Sequence, residues 1–384
     1  MRERPLTKES MNKFKRAIAS LAIACLAGGA ASGAHSASSP AANPMAVADQ
    51  SRAIADAGNA FVASLSEAQR AKIMFAFERP KVAGSAKFAG GMNGRMTFVG
   101  ERYGQAVWSN YPVSDVPRPG LALGTLSPAQ RAAAMHLLQV LLSAKGYEKV
   151  RAIMGSDQAL HDGGQPFASG EDVYTLGLFG APSATTPWMV QFGGHHLALN
   201  VVVAGARGAL APALTGAQPA IYTAGGKTVR VLAEENDRAF ALLDALDASQ
   251  RKQAILDYRI DDLVMGPGHG GETIVPEGLK ASAMTDAQRA LLMDVIAEWA
   301  GIVNTPYADA RLAQIRDGLP DTWFAWSGPT THVPGRNGSA YYRIQGPKLF
   351  IEFSPQGVGG DSTLHVHTIY RDPTNDYGGA WPAS

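Results

Sequence analysis

The 384-residue sequence predicts an α+β fold, with a mainly antiparallel sheet and several capped helices packed around it. Two observations support this prediction. Four segments open with a pattern that begins helices, and several runs between glycine-rich turns alternate or cluster apolar residues as strands do. No linker interrupts residues 60–380, so we expect residues 59–384 to form a single domain.

Residues 1–36 have the layout of a secretory signal peptide. A basic start is followed by an apolar run and by small residues near Ala34, where cleavage is expected. The only cysteine, Cys25, lies in this run, and lipoprotein anchoring there is the less favoured alternative. We therefore expect a periplasmic or secreted protein with no integral membrane segment after cleavage.

Removal of this segment changes the composition in ways that exclude several functions. It takes away six of the 34 Lys/Arg and two of the 33 Asp/Glu, which leaves 28 and 31 and a net charge near −3. Such a balance argues against nucleic acid as a partner. The remaining chain has no cysteine, so thiol nucleophiles, disulfides and cysteine metal ligands are excluded. Any metal must bind His, Asp, Glu or backbone oxygen.

The first predicted elements are a leader and four helices. Residues 37–50 are small and polar with two prolines, and residues 37–58 are expected to form a flexible leader. The four helix-opening segments are LSEAQR, LSPAQR, LDASQR and MTDAQR, beginning at residues 65, 126, 246 and 284. Each has the capping-box spacing, in which Ser, Asp or Thr bonds the amide three residues on and Gln bonds back. Their unequal separations argue against tandem repeats.

The predicted strands carry the residues that suggest chemistry. They lie in KFAGGMNGRMTFVGERYGQAVWSN, WMVQFGGHHLALNVVVAG, SAYYRIQGPKLFIEFSP and STLHVHTIYRD. In the last run, His365 and His367 are two residues apart, and residues two apart on a strand share a face. Two imidazoles on one face can chelate one metal ion. The alternative is a pair of solvated histidines on an open sheet face.

A third histidine is expected from FGGHHLALN. His195 and His196 are adjacent, so on a regular strand they face opposite ways and only one joins His365 and His367. We predict His195, His365 and His367 as metal ligands and His196 as a catalytic group that carries protons. Three neutral nitrogens plus an open position is the arrangement that catalytic zinc uses.

Glu352 is the predicted carboxylate of this site. It lies among apolar residues in KLFIEFS, and carboxylates are rarely buried without a partner. If its strand pairs antiparallel with the next one, Glu352 meets the histidines as a fourth ligand or general base. Two histidines with Glu352 would instead suit non-haem iron. The alternative is an edge-strand carboxylate that faces water.

Several of these runs resemble one known family. The runs LGLFGAPSATTPWMVQFGGHHLALN, SGPTTHVPGRNGSAYYRIQGPKLFIEFSP and HVHTIYRDPTNDYGG are similar to the family catalogued as domain of unknown function 3500. The resemblance covers most of the chain after about residue 60. It implies that these blocks belong to one domain architecture, and it implies no activity.

The residues together predict an exported metal-binding protein. The simplest interpretation is a mononuclear metal-dependent hydrolase of a small-molecule or polymeric extracellular substrate, with zinc as the divalent ion and iron or copper as alternatives. A non-haem iron oxygenase is the next alternative. The third is a non-catalytic periplasmic module whose histidines and aromatic residues line a pocket for an organic ligand: Trp188, Trp323, Trp326, Tyr341 and Tyr342.

Overall fold

The computed structural model of the protein describes residues 44–91, 94–165, 167–358 and 360–382. The predicted signal peptide, Cys25 and the first part of the predicted leader lie outside these ranges. Among the helices described, none is both long enough and apolar enough to cross a membrane.

The α+β prediction is confirmed. Over the described ranges the helices are α1 (Pro44–Ala63), α2 (Glu67–Ile73), α3 (Pro128–Leu141), α4 (Ala144–Asp162), α5 (Ala233–Ala245), α6 (Ala248–Ala254), α7 (Asp286–Ala300) and α8 (Thr305–Asp317). The strands are β1 (Met74–Phe75), β2 (Gly84–Gly90), β3 (Met96–Tyr103), β4 (Ala106–Trp108), β5 (Leu121–Ala122), β6 (Thr175–Phe179), β7 (Trp188–Gly194), β8 (Leu197–Ala204), β9 (Arg207–Ala217), β10 (Ile221–Ala224), β11 (Lys227–Arg230), β12 (Leu279–Lys280), β13 (Trp323–Ser327), β14 (Tyr341–Gly346), β15 (Leu349–Pro355) and β16 (Val366–Arg371).

Helix α1 overturns the leader prediction for residues 44–58. Val47, Ile54 and Phe61 recur every seven residues, which places them on one helical face, and all three are buried in the main core. Ser51, on the same helix, bonds the hydroxyl of Tyr307 at 2.7 Å. Most residues of this stretch are small or polar, so its composition did not indicate the apolar stripe. Packing of that stripe against the main core stabilises the helix.

The large sheet has eleven strands, and all its pairings except β1 with β6 are antiparallel. Its order is β1-β6-β7-β8-β9-β16-β15-β14-β13-β12, with β5 beside β6. The helices cover one face, where Leu199 of β8 and Ile351 of β15 join the main core. On the other face Trp108 packs with Leu214 and Ile369. The central strands are therefore buried on both faces.

All four predicted capping boxes are present, and the structure pairs them. The N-cap residues are Ser66, Ser127, Asp247 and Thr285, and each box has both of its hydrogen bonds. The amides of Gln69 and Gln130 bond each other at 2.9 and 3.2 Å. Those of Gln250 and Gln288 do the same at 2.7 and 2.9 Å.

This pairing reflects a repeated architecture. Strands β6–β9 and β13–β16 form two antiparallel meanders that meet at the β9–β16 pair. Before each meander come a short capped helix, a two-residue strand antiparallel to the first meander strand, and two longer helices. In both halves, the residues that directly follow the short helix form a parallel pairing with the first meander strand. The unequal box spacing arises because the first half also contains β2, β3 and β4.

Candidate metal centre

Three histidines from two distant segments converge on one point. Nε2 of His365 lies 3.1 Å from Nε2 of His196 and 3.0 Å from Nε2 of His367. One ligand nitrogen from each of the three residues lies within 4.8 Å of the other two, and the three residues could hold a metal ion. Nitrogens around a tetrahedral zinc ion, at about 2.0–2.1 Å from the metal, are ~3.3 Å apart. The two distances from Nε2 of His365, 3.0 and 3.1 Å, are close to that value.

The sheet brings these segments together at the start of β16. His367 on this strand pairs with Ser354 of β15 on one side and with Gly216 of β9 on the other, and His365 immediately precedes the strand. A Cβ atom at Gly216 would lie 3.3 Å from Cβ of His196. Glycine at this position therefore lets the β7–β8 turn approach β16.

His196 reaches the centre because it lies in a turn. His195 and His196 form the two-residue connection between β7 and β8, whose last paired residues are Gly194 and Leu197. His196 has a φ of +61°, in the left-handed region that few residues other than glycine adopt. The rings of His195 and His196 stack with centroids 3.7 Å apart.

This geometry places the two adjacent histidines differently from the prediction. His196, predicted as the catalytic group, joins His365 and His367, whereas His195, predicted as a ligand, does not. Nδ1 of His195 instead lies 2.8 Å from Oδ1 of Asp157 in α4. The prediction assumed a regular strand with alternating faces, and a turn with a left-handed residue does not follow that alternation.

Glu352 is also placed differently from its prediction. The antiparallel pairing of β15 with β16 is as expected, but the carboxylate is fully buried and accepts hydrogen bonds from the amides of Val264 and Met265 at 2.7 and 2.8 Å. It also accepts the hydroxyl of Tyr341 at 2.6 Å. Burial raises the pKa of Glu352, although these bonds oppose the shift. Glu352 therefore anchors a loop, lies outside the group of three histidines, and does not face solvent as an edge residue would.

The three clustered histidines are held in the neutral form that metal binding needs. Burial, with the neighbouring His367, lowers the pKa of His365 to about 4. Burial also lowers the pKa of His367. Burial and the charges of the adjacent imidazoles together lower the pKa of His196 well below its usual range. Neutral imidazole nitrogens present lone pairs and are the commonest metal ligands.

Two of the histidines have partners on their other nitrogens. Nδ1 of His365 lies 2.8 Å from the carbonyl oxygen of Val358, which can only accept, so Nδ1 carries the proton and Nε2 presents its lone pair. Nδ1 of His367 lies 3.8 Å from a carboxylate oxygen of Asp262. Metal-binding histidines commonly have such carbonyl or carboxylate partners.

Sequence reasoning did not identify Asp157, Asp262 or Val358 as neighbours of the site. Each lies in a different part of the chain from the histidine that it contacts, except Val358, which is seven residues from His365. No residue pattern around them marks a site. Only the sheet order brings them to the cluster.

Comparison with known proteins agrees with the resemblance. The family model described as "Protein of unknown function (DUF3500)" matches residues 95–379. The chain belongs to this family. The matched part of this DUF3500 protein includes all three clustered histidines, together with Asp157 and Asp262. No curated protein and no solved structure matches the chain. The family description states no activity, so the function is argued from the geometry of the site.

Proposed function

We propose that this DUF3500 protein binds one divalent metal ion through Nε2 of His196, His365 and His367. The observation that supports the proposal most strongly is the approach of His365 to His196 at 3.1 Å from 169 residues away. The lone pair of His365 faces both other nitrogens, and lone pairs brought this close repel unless a cation or a proton lies between them. The lowered pKa values disfavour an additional proton on these rings, and a cation would balance the three lone pairs when each ring carries its own proton on Nδ1.

Zinc is the ion that the donor set fits best. Three imidazoles and an open fourth position match catalytic zinc sites, and iron or copper are the other ions that imidazole suits. Within the described ranges, no carboxylate or cysteine completes the group of three. The fourth position is then free for water or substrate.

The reaction that we propose is hydrolysis of a small-molecule or polymeric substrate. A zinc ion would supply Lewis acidity and lower the pKa of a bound water. The chain supplies His195, whose ring stacks on that of His196 and whose Nδ1 is held by Asp157, which leaves Nε2 to accept or donate a proton. This exchanges the roles first assigned to the two histidines.

Two alternatives have less support from the geometry. An oxygenase with two histidines and one carboxylate would need Glu352, whose oxygens bond Val264, Met265 and Tyr341 instead. A non-catalytic module would need the aromatic residues to line a pocket. Four of the five candidates lie in the interior, namely Trp188, Trp326, Tyr341 and Tyr342.

The protein is also proposed to act outside the cytoplasm. This rests on the basic, apolar and small-residue layout of residues 1–36. A periplasmic or secreted location would also give the enzyme access to extracellular substrates. Fractionation of the cells that make the protein, with N-terminal sequencing of the purified chain, tests the location and the cleavage point.

Metal analysis of protein purified without a histidine tag tests the proposal. We expect about one zinc ion per chain in the native protein and loss of that ion in His365→Ala and His367→Ala. His269→Ala is the matched control, because His269 is half-exposed, bonds Glu272 at 2.8 Å, and is not one of the three clustered histidines. A folded, metal-free protein whose stability is unchanged by chelators would support the non-catalytic module instead.

A further inference from the structure

We propose that Tyr174 and Asp157 are positioning residues, which hold the His195–His196 turn so that His196 points at the metal. This inference rests on the proposed function, because it assigns these residues to the same site. It concerns side chains that touch neither the metal nor the substrate. They act through the two histidines of the turn.

The backbone of the turn is fixed by hydrogen bonds from separate parts of the chain. The hydroxyl of Tyr174 donates to the carbonyl oxygen of His195 at 2.7 Å. The amide of His196 donates to the carbonyl oxygen of Asn110 at 3.2 Å. Just before the turn, the buried guanidinium of Arg118 donates to the carbonyl oxygen of Gly194 at 3.2 Å. A left-handed histidine costs free energy and persists where its surroundings fix it in this way.

Asp157 fixes the side chain of His195 as these bonds fix the backbone. It is 1% exposed, and among the described residues His195 is its only hydrogen-bond partner. A buried carboxylate is costly unless it is paired, so helix packing alone does not account for Asp157. Because the carboxylate accepts, it holds the proton of His195 on Nδ1. The fixed ring then stacks on His196.

The second half of the chain shows what the fold requires at the equivalent turn. Residues 347 and 348 connect β14 to β15, with Gly346 opposite Leu349 as Gly194 is opposite Leu197. A Cβ atom at Gly346 would lie 2.6 Å from Oγ1 of Thr322. One at Gly194 would lie 2.9 Å from the ring of Tyr174. Tyr174 and Thr322 each precede the first strand of a meander, so they are equivalent.

The two turns differ in the features that we assign to the site. Among described residues other than glycine, only His196, Leu232 and Tyr377 have a positive φ, so the second turn has no left-handed residue. The hydroxyl of Thr322 donates to the carbonyl oxygen of Gly318 and not to the turn. The fold therefore closes this hairpin without a left-handed residue or a tyrosine hydrogen bond. The left-handed residue and the tyrosine hydrogen bond of the first half therefore position His196.

The variant Tyr174→Phe, with Tyr342→Phe as its control, tests the inference. Tyr342 is equally buried, and its hydroxyl donates to the carbonyl oxygen of Glu235 at 2.8 Å, so both variants lose the same kind of bond. Zinc affinity of the metal-free proteins is measured by competition titration. We expect Tyr174→Phe to bind zinc about tenfold more weakly than the native protein, as loss of such outer partners does, and Tyr342→Phe to be unchanged. Equal affinities in the two variants would overturn the inference.

A second measurement does not depend on the metal. Nitrogen–proton correlation spectra of the imidazoles report the tautomer of His195 and the environment of His196. We expect Asp157→Asn to alter the His195 tautomer signals, and Tyr174→Phe but not Tyr342→Phe to shift the signals of His196. If the native protein binds no zinc, the proposed function fails, and these spectra still decide the inference. Unshifted signals in both site variants would overturn it.

Discussion

Nε2 of His365 lies 3.1 Å from Nε2 of His196, which belongs to the other half of the repeated architecture. The contact exists because β9 and β16, the last strands of the two meanders, pair at the middle of the sheet. The candidate metal centre is thus built at the junction of the halves. Neither half contains it alone, so binding of a metal there would link the two halves.

Acidification of the metal-free protein should lower its stability through the clustered histidines. His365 has a pKa of about 4 in the folded protein and about 6.5 when unfolded, so below pH 6.5 the unfolded state binds the additional proton. The free energy of unfolding should therefore fall as pH drops from 6.5 to 4, by about 3 kcal/mol from this residue. Urea denaturation at several pH values measures it.

The matched variant in that experiment is His365→Gln, which removes the titrating ring. Its stability should depend less on pH between 6.5 and 4 than that of the native protein. Bound zinc should lower the pH at which the native protein unfolds, because the metal competes with protons for Nε2. An identical pH dependence in the variant and the native protein would contradict the prediction.

Glu352→Gln should destabilise the protein without removing its metal. The NH2 group of glutamine would place a donor against one of the two backbone amides, Val264 or Met265, which now donate to separate oxygens of the carboxylate. We expect a loss of about 1–3 kcal/mol in the free energy of unfolding, the typical cost of an unsatisfied buried polar group. Chemical denaturation measures the loss, and elemental analysis measures the metal. If the variant lost its metal and kept the stability of the native protein, Glu352 would belong to the metal site after all.

The paired capping boxes should be coupled energetically. Replacing Gln250 or Gln288 by alanine leaves the other amide without its partner, at about 1–3 kcal/mol for each single variant. The double variant should cost less than the sum of the two, by roughly 1 kcal/mol. The half-buried pair Gln69 and Gln130 should give the same sign with a smaller coupling. Additive effects in both pairs would show that the pairing contributes no stability.

The features of the fold that could be predicted are those that short patterns encode. A capping box needs only a residue and its third neighbour, so Ser66 and Asp247 were identifiable from the sequence. The β15–β16 pairing also followed from two adjacent runs. The repeat was not identifiable, because its evidence is the strand order and the contacts between glutamines far apart in the chain.

The candidate site was predictable in part for the same reason. His365 and His367 share a segment, and their two-residue spacing places them together. The choice between His195 and His196 depended on a left-handed backbone that the sequence does not display. A buried Glu352 was one of the two alternatives that the sequence left open, but its partners are backbone amides of another segment, which no side-chain pattern reveals.

Gly216→Ala should weaken metal binding by displacing β9 from β16. A Cβ atom at this position would lie 2.6 Å from the carbonyl oxygen of Val366 and 3.3 Å from Cβ of His196. Because backbone cannot yield as a flexible side chain does, we expect the strands to shift and the free energy of unfolding to fall by about 1–3 kcal/mol. Zinc affinity should fall as well, since Val366 lies between His365 and His367. Gly84→Ala, at the start of β2 where a Cβ atom would meet no neighbour and φ is not in the left-handed region, controls for the gain of a methyl group. Native zinc affinity in Gly216→Ala would show that His196 reaches the metal without this close approach of the strands.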